Sequence, residues 1–161
     1  MKNKYLFLGI FIGIVIFSFY YFSNINRRGF ETDKQRFDLR VTLYKTPNCG
    51  CCENYISYLR SNGFKVEKRD ISDEELTNLK KQLGIPENLW SCHTALWGNY
   101  FVEGHTPISA IEKLLNEKPE INGIALPEMP SGSPGMPGFK IEKWKIHSVK
   151  NGQDQGIFME I

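Results

Sequence analysis

The sequence predicts an α/β domain in βαβ-ββα order, extended by a C-terminal β-hairpin and preceded by an N-terminal membrane helix. Three observations carry this reading. An uncharged apolar run lies near the amino end. Strand-like and helix-like periodicities alternate from residue 39 to residue 117. Two alternating segments then flank a turn dipeptide at the carboxyl end.

Residues 5–22 (YLFLGIFIGIVIFSFYYF) carry no formal charge. At ~1.5 Å per residue such a helix would be ~27 Å long, close to the thickness of a hydrocarbon core. Lys2 and Lys4 precede the run and Arg27 and Arg28 follow it, so the flanking charges set no orientation. The run ends in SFYYFSN, without a small-x-small cleavage site, which points to an uncleaved anchor with its amino end in the cytoplasm. The alternative is a cleaved signal. Either way the domain is expected outside the cytoplasm. Residues 1–30 then form the anchor and its flank, 31–38 a polar tether, and 39–161 the domain.

The four basic residues beside the run leave 16 Lys and Arg against 18 Asp and Glu in the rest of the chain, a net of −2. That balance, without a basic stripe, excludes a nucleic-acid surface.

Residues 39–45 (LRVTLYK) alternate apolar and polar and are broken by Pro47-Asn48, which predicts a strand and a turn. A helix is expected over 53–61, with Tyr55, Ile56, Tyr58 and Leu59 on one face and Asn62-Gly63 as the stop. Residues 64–71 alternate again. Ser72-Asp73-Glu74-Glu75 reads as a capping box before Leu76, Leu79 and Leu83. Short strands at 94–97 and 100–103 flank Gly98-Asn99 as a hairpin. A helix from 107 to 117 follows, with Thr106 as its N-cap. This order is the thioredoxin-type arrangement. Residues 123–138, with four prolines, are expected to form neither helix nor strand. A terminal hairpin over 141–149 and 156–161 would turn at Asn151-Gly152. Trp90, Trp97 and Trp144 are expected as core or edge aromatics, Tyr44 and Phe64 as core, and His147 as solvent-exposed.

Three of the four cysteines lie in Cys49-Gly50-Cys51-Cys52, between the first strand and the first helix. Cys49 and Cys52 have the C-x-x-C spacing of a redox pair, and a helix N-terminus favours a thiolate at Cys49. Cys51 is a third thiol that a redox pair does not need. Extra soft sulfur suits Cu(I), Zn(II) or an iron–sulfur centre, so spacing alone names a class of ion. In thioredoxin-like proteins the residues just before the third strand face the helix-capping cysteines, so Cys92 is expected to complete a four-sulfur set that could hold more than one Cu(I). His93 would be a nitrogen ligand or the partner of one. His105 is a further candidate, against the plainer reading of a capping or surface histidine. Met129 and Met136 are thioether candidates, against the plainer reading of loop residues packed on the core.

KTPNCGCC at 45–52, SCHTALWGNYFVEGHTP at 91–107 and ALPEMPSGSPGMPG at 125–138 resemble the motifs of the CopG-type copper-resistance family. The resemblance covers residues 40–161. It implies a periplasmic thioredoxin-like fold, copper bound by Cys49, Cys51, Cys52 and Cys92, and a role in handling copper or changing its oxidation state. If copper cycles between oxidation states, His93 would help to accommodate the harder Cu(II). A copper oxidoreductase would need an electron-transfer partner, and a passive carrier a copper-transport partner. The rival reading is a thiol–disulfide oxidoreductase in which Cys49 attacks and Cys52 resolves.

Overall fold

The computed structural model describes residues 40–161, together with Phe17 and Ser18. The apolar run at 5–22 lies outside the described residues apart from those two. Among the described residues no helix is long and apolar enough to cross a membrane. The chain divides after Phe37, and all the elements below belong to the unit Asp38–Ile161.

Seven strands form one sheet in the order β2-β1-β3-β4-β5-β6-β7. Strand β1 (Arg40–Lys45) turns Val41, Leu43 and Lys45 inward by the period-two rule. Tyr44, expected in the core, is only half-buried because it faces the other way. Strand β2 (Lys65–Asp70) pairs parallel to β1 at the sheet edge and is exposed apart from half-buried Val66. Its row of charges suits an unpaired edge. Strand β3 (His93–Trp97) runs antiparallel to β1, and Gly98-Asn99 joins it to β4 (Tyr100–Glu103) as expected.

Helix α1 spans Gly50–Ser61, three residues longer at its start than the apolar period indicates. The first turn is made by the cysteine cluster, with Cys49 as the N-cap residue, so hydrophobic spacing does not mark it. Helix α2 (Asp73–Gln82) has its capping box: Ser72 Oγ accepts from Glu75 N at 3.2 Å, and Ser72 N donates to Glu75 at 2.8 Å. Helix α3 (Ile108–Glu117) is capped by Pro107, and Thr106 makes no cap bond. Thr106 Oγ1 donates instead to Glu103 O, and the first helical N–H, from Ile108, reaches Tyr58 Oη at 3.0 Å.

Residues 123–138 are not all loop. Gly123–Ala125 forms β5, parallel to β4 and antiparallel to β6 (Lys145–Lys150). The prolines begin only at Pro127, and a three-residue strand is too short to show a period. A side chain at Gly123 would collide with Phe101, so only glycine admits this close pairing. Strand β7 (Gln153–Glu160) closes the terminal hairpin through Asn151-Gly152. His147 on β6 is not free in solvent: it is half-buried, with Nδ1 2.9 Å from Asp154 Oδ2.

Alternation along β3 and β4 sends Trp97 and Val102 to one face, beneath α1 and α3, with Tyr55, Leu59, Ile111 and Leu114. Phe101 goes to the other face, with Ile85, Leu89 and Val149. Phe64 and Trp144 join the first cluster, and Trp90 packs at the edge of the second. At ~1.5–3 kcal/mol for each large apolar side chain, this two-faced burial is the main support of the sheet.

Candidate metal centre

The C-terminal end of β1 lies beside the N-terminal end of β3, with Lys45 opposite His93. This register sets the turn at 46–49 against the segment that enters β3. Lys45 is fully buried, donates to the carbonyls of Thr46 and Pro47 at 2.9 and 3.3 Å, and pairs with Glu53 and Asp70 at 3.0 Å each. Burial pulls its pKa down, but Asp70 and Glu53 more than offset this and hold it above the usual lysine value. The turn that presents Cys49 is thus anchored from below.

Cys49 and Cys52 are joined by a disulfide across the first turn of α1. Cys51 and Cys92 are free and half-buried. Cys51 Sγ lies 3.6 Å from Cys49 Sγ and 3.8 Å from Cys92 Sγ, so it stands between the pair and Cys92. All four sulfurs fall within 4.8 Å of one another. The long-range member expected from the fold, Cys92, is therefore brought to the other three.

A second donor set shares that sulfur. Cys92 Sγ is 3.3 Å from His93 Nδ1 and 3.1 Å from His105 Nε2, and the three donors again lie within 4.8 Å of one another. His105 is thus part of the centre. Its Nδ1 is 2.6 Å from the carbonyl oxygen of Pro134, which can only accept, so Nδ1 carries the proton and Nε2 is left as a lone pair facing Cys92. His93 is fully buried, and its Nε2 has no hydrogen-bond partner. Burial, with His105 nearby, holds the His93 pKa well below the usual value, and burial lowers that of His105. Both imidazoles are neutral near pH 7 and available as ligands. Burial also pushes the Cys92 thiol up to about 12, with the neighbouring Cys51 adding to the shift. A bound cation would reverse that preference by favouring the thiolate.

Beneath this set lies a buried ion pair that sequence patterning does not reveal. Lys80 on α2 and Glu103 on β4 are 4 % and 0 % exposed and are in direct contact. Glu103 also accepts from Ser91 N at 2.6 Å and Thr94 Oγ1 at 2.6 Å, while Lys80 donates to Ser91 O at 2.8 Å. Both polar groups of the Ser91 backbone are held immediately before Cys92. Burial raises the Glu103 pKa, and Lys80 opposes the rise.

The proline-rich segment covers the other side. Gly135 lies against the start of α1, where an added Cβ would be 2.7 Å from Tyr55 N and 3.0 Å from Cys51 O. Asn54 Nδ2 donates to Gly135 O at 3.3 Å. Cys51, Asn54, Gly135, Met136 and Pro137 line an open cleft of about 440 Å³, so Met136 stands at the approach to Cys51. Met129 does not line this cleft.

Fold and donors together define a thioredoxin-like protein whose usual redox pair is enlarged into a sulfur-rich centre with two imidazoles. The glutaredoxin family model matches residues 41–86, and the model described as "Protein of unknown function, DUF411" matches residues 89–136. Two solved structures, described as copper resistance protein CopG, form 2 and form 1, are similar at 35% and 36% identity. The TM-score is 0.67 for each, and the match covers 76% of this chain and 97% and 96% of theirs. No curated protein matches the chain. At that identity over nearly the whole of both relatives, the chain belongs to the CopG copper-resistance family.

Proposed function

We propose that this protein binds copper as its cargo outside the cytoplasm, holding Cu(I) in a thiolate cluster of Cys49, Cys51, Cys52 and Cys92. The observation that carries the reading is that Cys51 and Cys92 join the C-x-x-C pair, with all four sulfurs within 4.8 Å. Thiol exchange uses two sulfurs, whereas four convergent thiolates, present once the Cys49–Cys52 disulfide is reduced, suit a soft d¹⁰ ion. The donor set fits copper and equally fits zinc. Copper is preferred because the similar structures are named for copper resistance. Bridging sulfurs give room for more than one Cu(I), and His93 and His105 add harder donors that suit Cu(II), so the site can accommodate both oxidation states. In this reading residues 1–30 anchor the chain in the inner membrane, 31–38 form a tether, and 39–161 work on the periplasmic side. There the domain exchanges copper or electrons with a partner protein.

The test is elemental analysis of the full chain, purified anaerobically from cells grown with both copper and zinc. Stoichiometric copper is expected. Stoichiometric zinc, or no metal, would overturn the proposal.

A second reading, thiol–disulfide oxidoreductase, is favoured by the Cys49–Cys52 disulfide at a strand-to-helix junction and by the glutaredoxin match. It requires insulin reduction to survive Cys51→Ser and Cys92→Ser, the two replacements that Cu(I) loading should not tolerate.

A further inference from the structure

The end of the sheet opposite the sulfur centre carries a charge cluster that copper binding does not use. Strand β1 runs from Arg40 to Lys45, and the turn that presents Cys49 follows its C-terminal end. Around its first residue lies an open cleft of about 790 Å³, where Val41, Phe64 and Val66 supply apolar walls and Arg40, Arg60 and Lys65 supply positive charge. All three cations are exposed. Glu67 also lines the cleft, but it is in direct contact with Arg69, which already balances its charge.

Strand pairing alone would not choose this arrangement. Arg40 and Lys65 are partners on the first rung of the β1–β2 ladder, and like charges placed opposite each other destabilise a sheet. Arg60 reaches the same place from the last turn of α1, where its guanidinium donates to Val66 O at 3.1 Å. Three cations from three elements converge here, although the chain beyond the apolar run has a net charge of only −2. An anion set among them relieves the repulsion. Guanidinium groups offer paired N–H donors to phosphate oxygens, and the ammonium adds a point charge.

The place of the cleft in the chain says which phosphate. The chain enters the sheet at Arg40, after the apolar run at 5–22. The linking residues 23–39 reach ~60 Å at most, so an anchored domain stays at high local concentration beside the headgroups, and a few weak contacts suffice. Resting on the anchored reading above, we infer that the Arg40, Arg60 and Lys65 cleft binds anionic phospholipid headgroups and docks this end of the domain on the bilayer. Docking sets the direction in which the sulfur centre faces. The six residues of β1, at ~3.3 Å each, put the Cys49 turn ~20 Å farther from the headgroups, open to a partner on the aqueous side.

The test uses the full chain in lipid nanodiscs, made of phosphatidylcholine alone or mixed with phosphatidylglycerol. Lysines are acetylated briefly at low salt, and the modification of each is read by peptide mass spectrometry. Lys65 is expected to react at least about fivefold more slowly in the anionic discs, the factor that one basic contact with an anionic surface supplies. High salt, which screens such contacts, should restore the neutral-disc rate. Lys140 and Lys143, which precede β6 at the other end of the sheet, should react alike in both discs. Arg40→Gln and Arg60→Gln should each reduce the protection of Lys65, and the double variant should abolish it. Equal Lys65 rates in the two discs, or protection at Lys140 and Lys143 instead, would overturn the inference. So would equal protection by inorganic phosphate in neutral discs, the mark of a site for the free anion. A chain that stays with neither disc removes the anchored reading and this inference with it, whereas a chain retained without Lys65 protection removes this inference alone.

Discussion

Replacing Lys80 by methionine tests the idea that a buried ion pair presets the Cys92 side of the centre. Methionine keeps the length of the side chain but removes the charge, and so leaves Glu103, 0 % exposed, facing Ser91 N and Thr94 Oγ1 without a cation. Breaking a buried pair on one side costs ~3–5 kcal/mol, a large share of the ~5–15 kcal/mol that holds a typical domain together. With an unfolding entropy of ~2.1 cal/mol/K per residue over about 120 residues, that is a fall in Tm of roughly 12–20 °C. Urea unfolding followed by tryptophan fluorescence measures it, since Trp97 and Trp144 are buried. The Lys80→Met, Glu103→Gln double variant should recover ~1–3 kcal/mol relative to Lys80→Met, because no buried charge is then left unpaired. A loss below ~1 kcal/mol in Lys80→Met, or strict additivity in the double variant, would refute the reasoning.

Three further outcomes follow from the geometry. Cys92→Ser should abolish copper loading because Cys92 serves both donor sets, whereas Cys51→Ser should lose Cu(I) yet keep a nitrogen-ligated Cu(II) signal. Metal analysis together with paramagnetic resonance distinguishes them. Gly135→Ala combines φ +82 with a Cβ placed 2.7 Å from Tyr55 N. It should cost ~1–3 kcal/mol and speed alkylation of Cys51 as the covering segment lifts away. The apo domain should be sensitive to acid. His93 and His105 are held below the usual 6.5 by burial, so the unfolded chain takes up protons that the folded one refuses. Stability is then complete above that pH and is lost as pH falls below it, so the urea midpoint should drop between about pH 7.5 and about pH 5.5. An unchanged midpoint would contradict the assignment of two neutral buried imidazoles.

Most of the element order was legible because strands, amphipathic helices and turns are written in local spacing. The capping box at Ser72 and the Gly98-Asn99 hairpin are complete within a few residues, and both stand where the sequence puts them. Where reading failed, the cause was an element with no local period. Strand β5 has only three residues and owes its place to β4 and β6 on either side. The first turn of α1 is cysteine and glycine, which carry no hydrophobic stripe. Thr106 looked like an N-cap, but its hydroxyl is taken by Glu103 O, a bond that follows from the bend after β4.

For the centre itself, the sequence alone determined the sulfur-rich chemistry: three cysteines in four residues at a strand-to-helix junction, a Cys-His pair further on, and motifs that resemble a copper-resistance family. Tertiary structure decided which of these donors meet. His105 and Cys92 are thirteen residues apart, and only the antiparallel turn from β3 into β4 brings Nε2 to within 3.1 Å of Sγ. Lys45, Lys80 and Glu103 carry charges that read as solvent-facing, and their burial makes sense only once the opposite charge arrives from another element. The physical reason is common to all of them. Periodicity records what one segment exposes to its own neighbours, whereas coordination and charge pairing depend on distances through space that the register of the sheet sets.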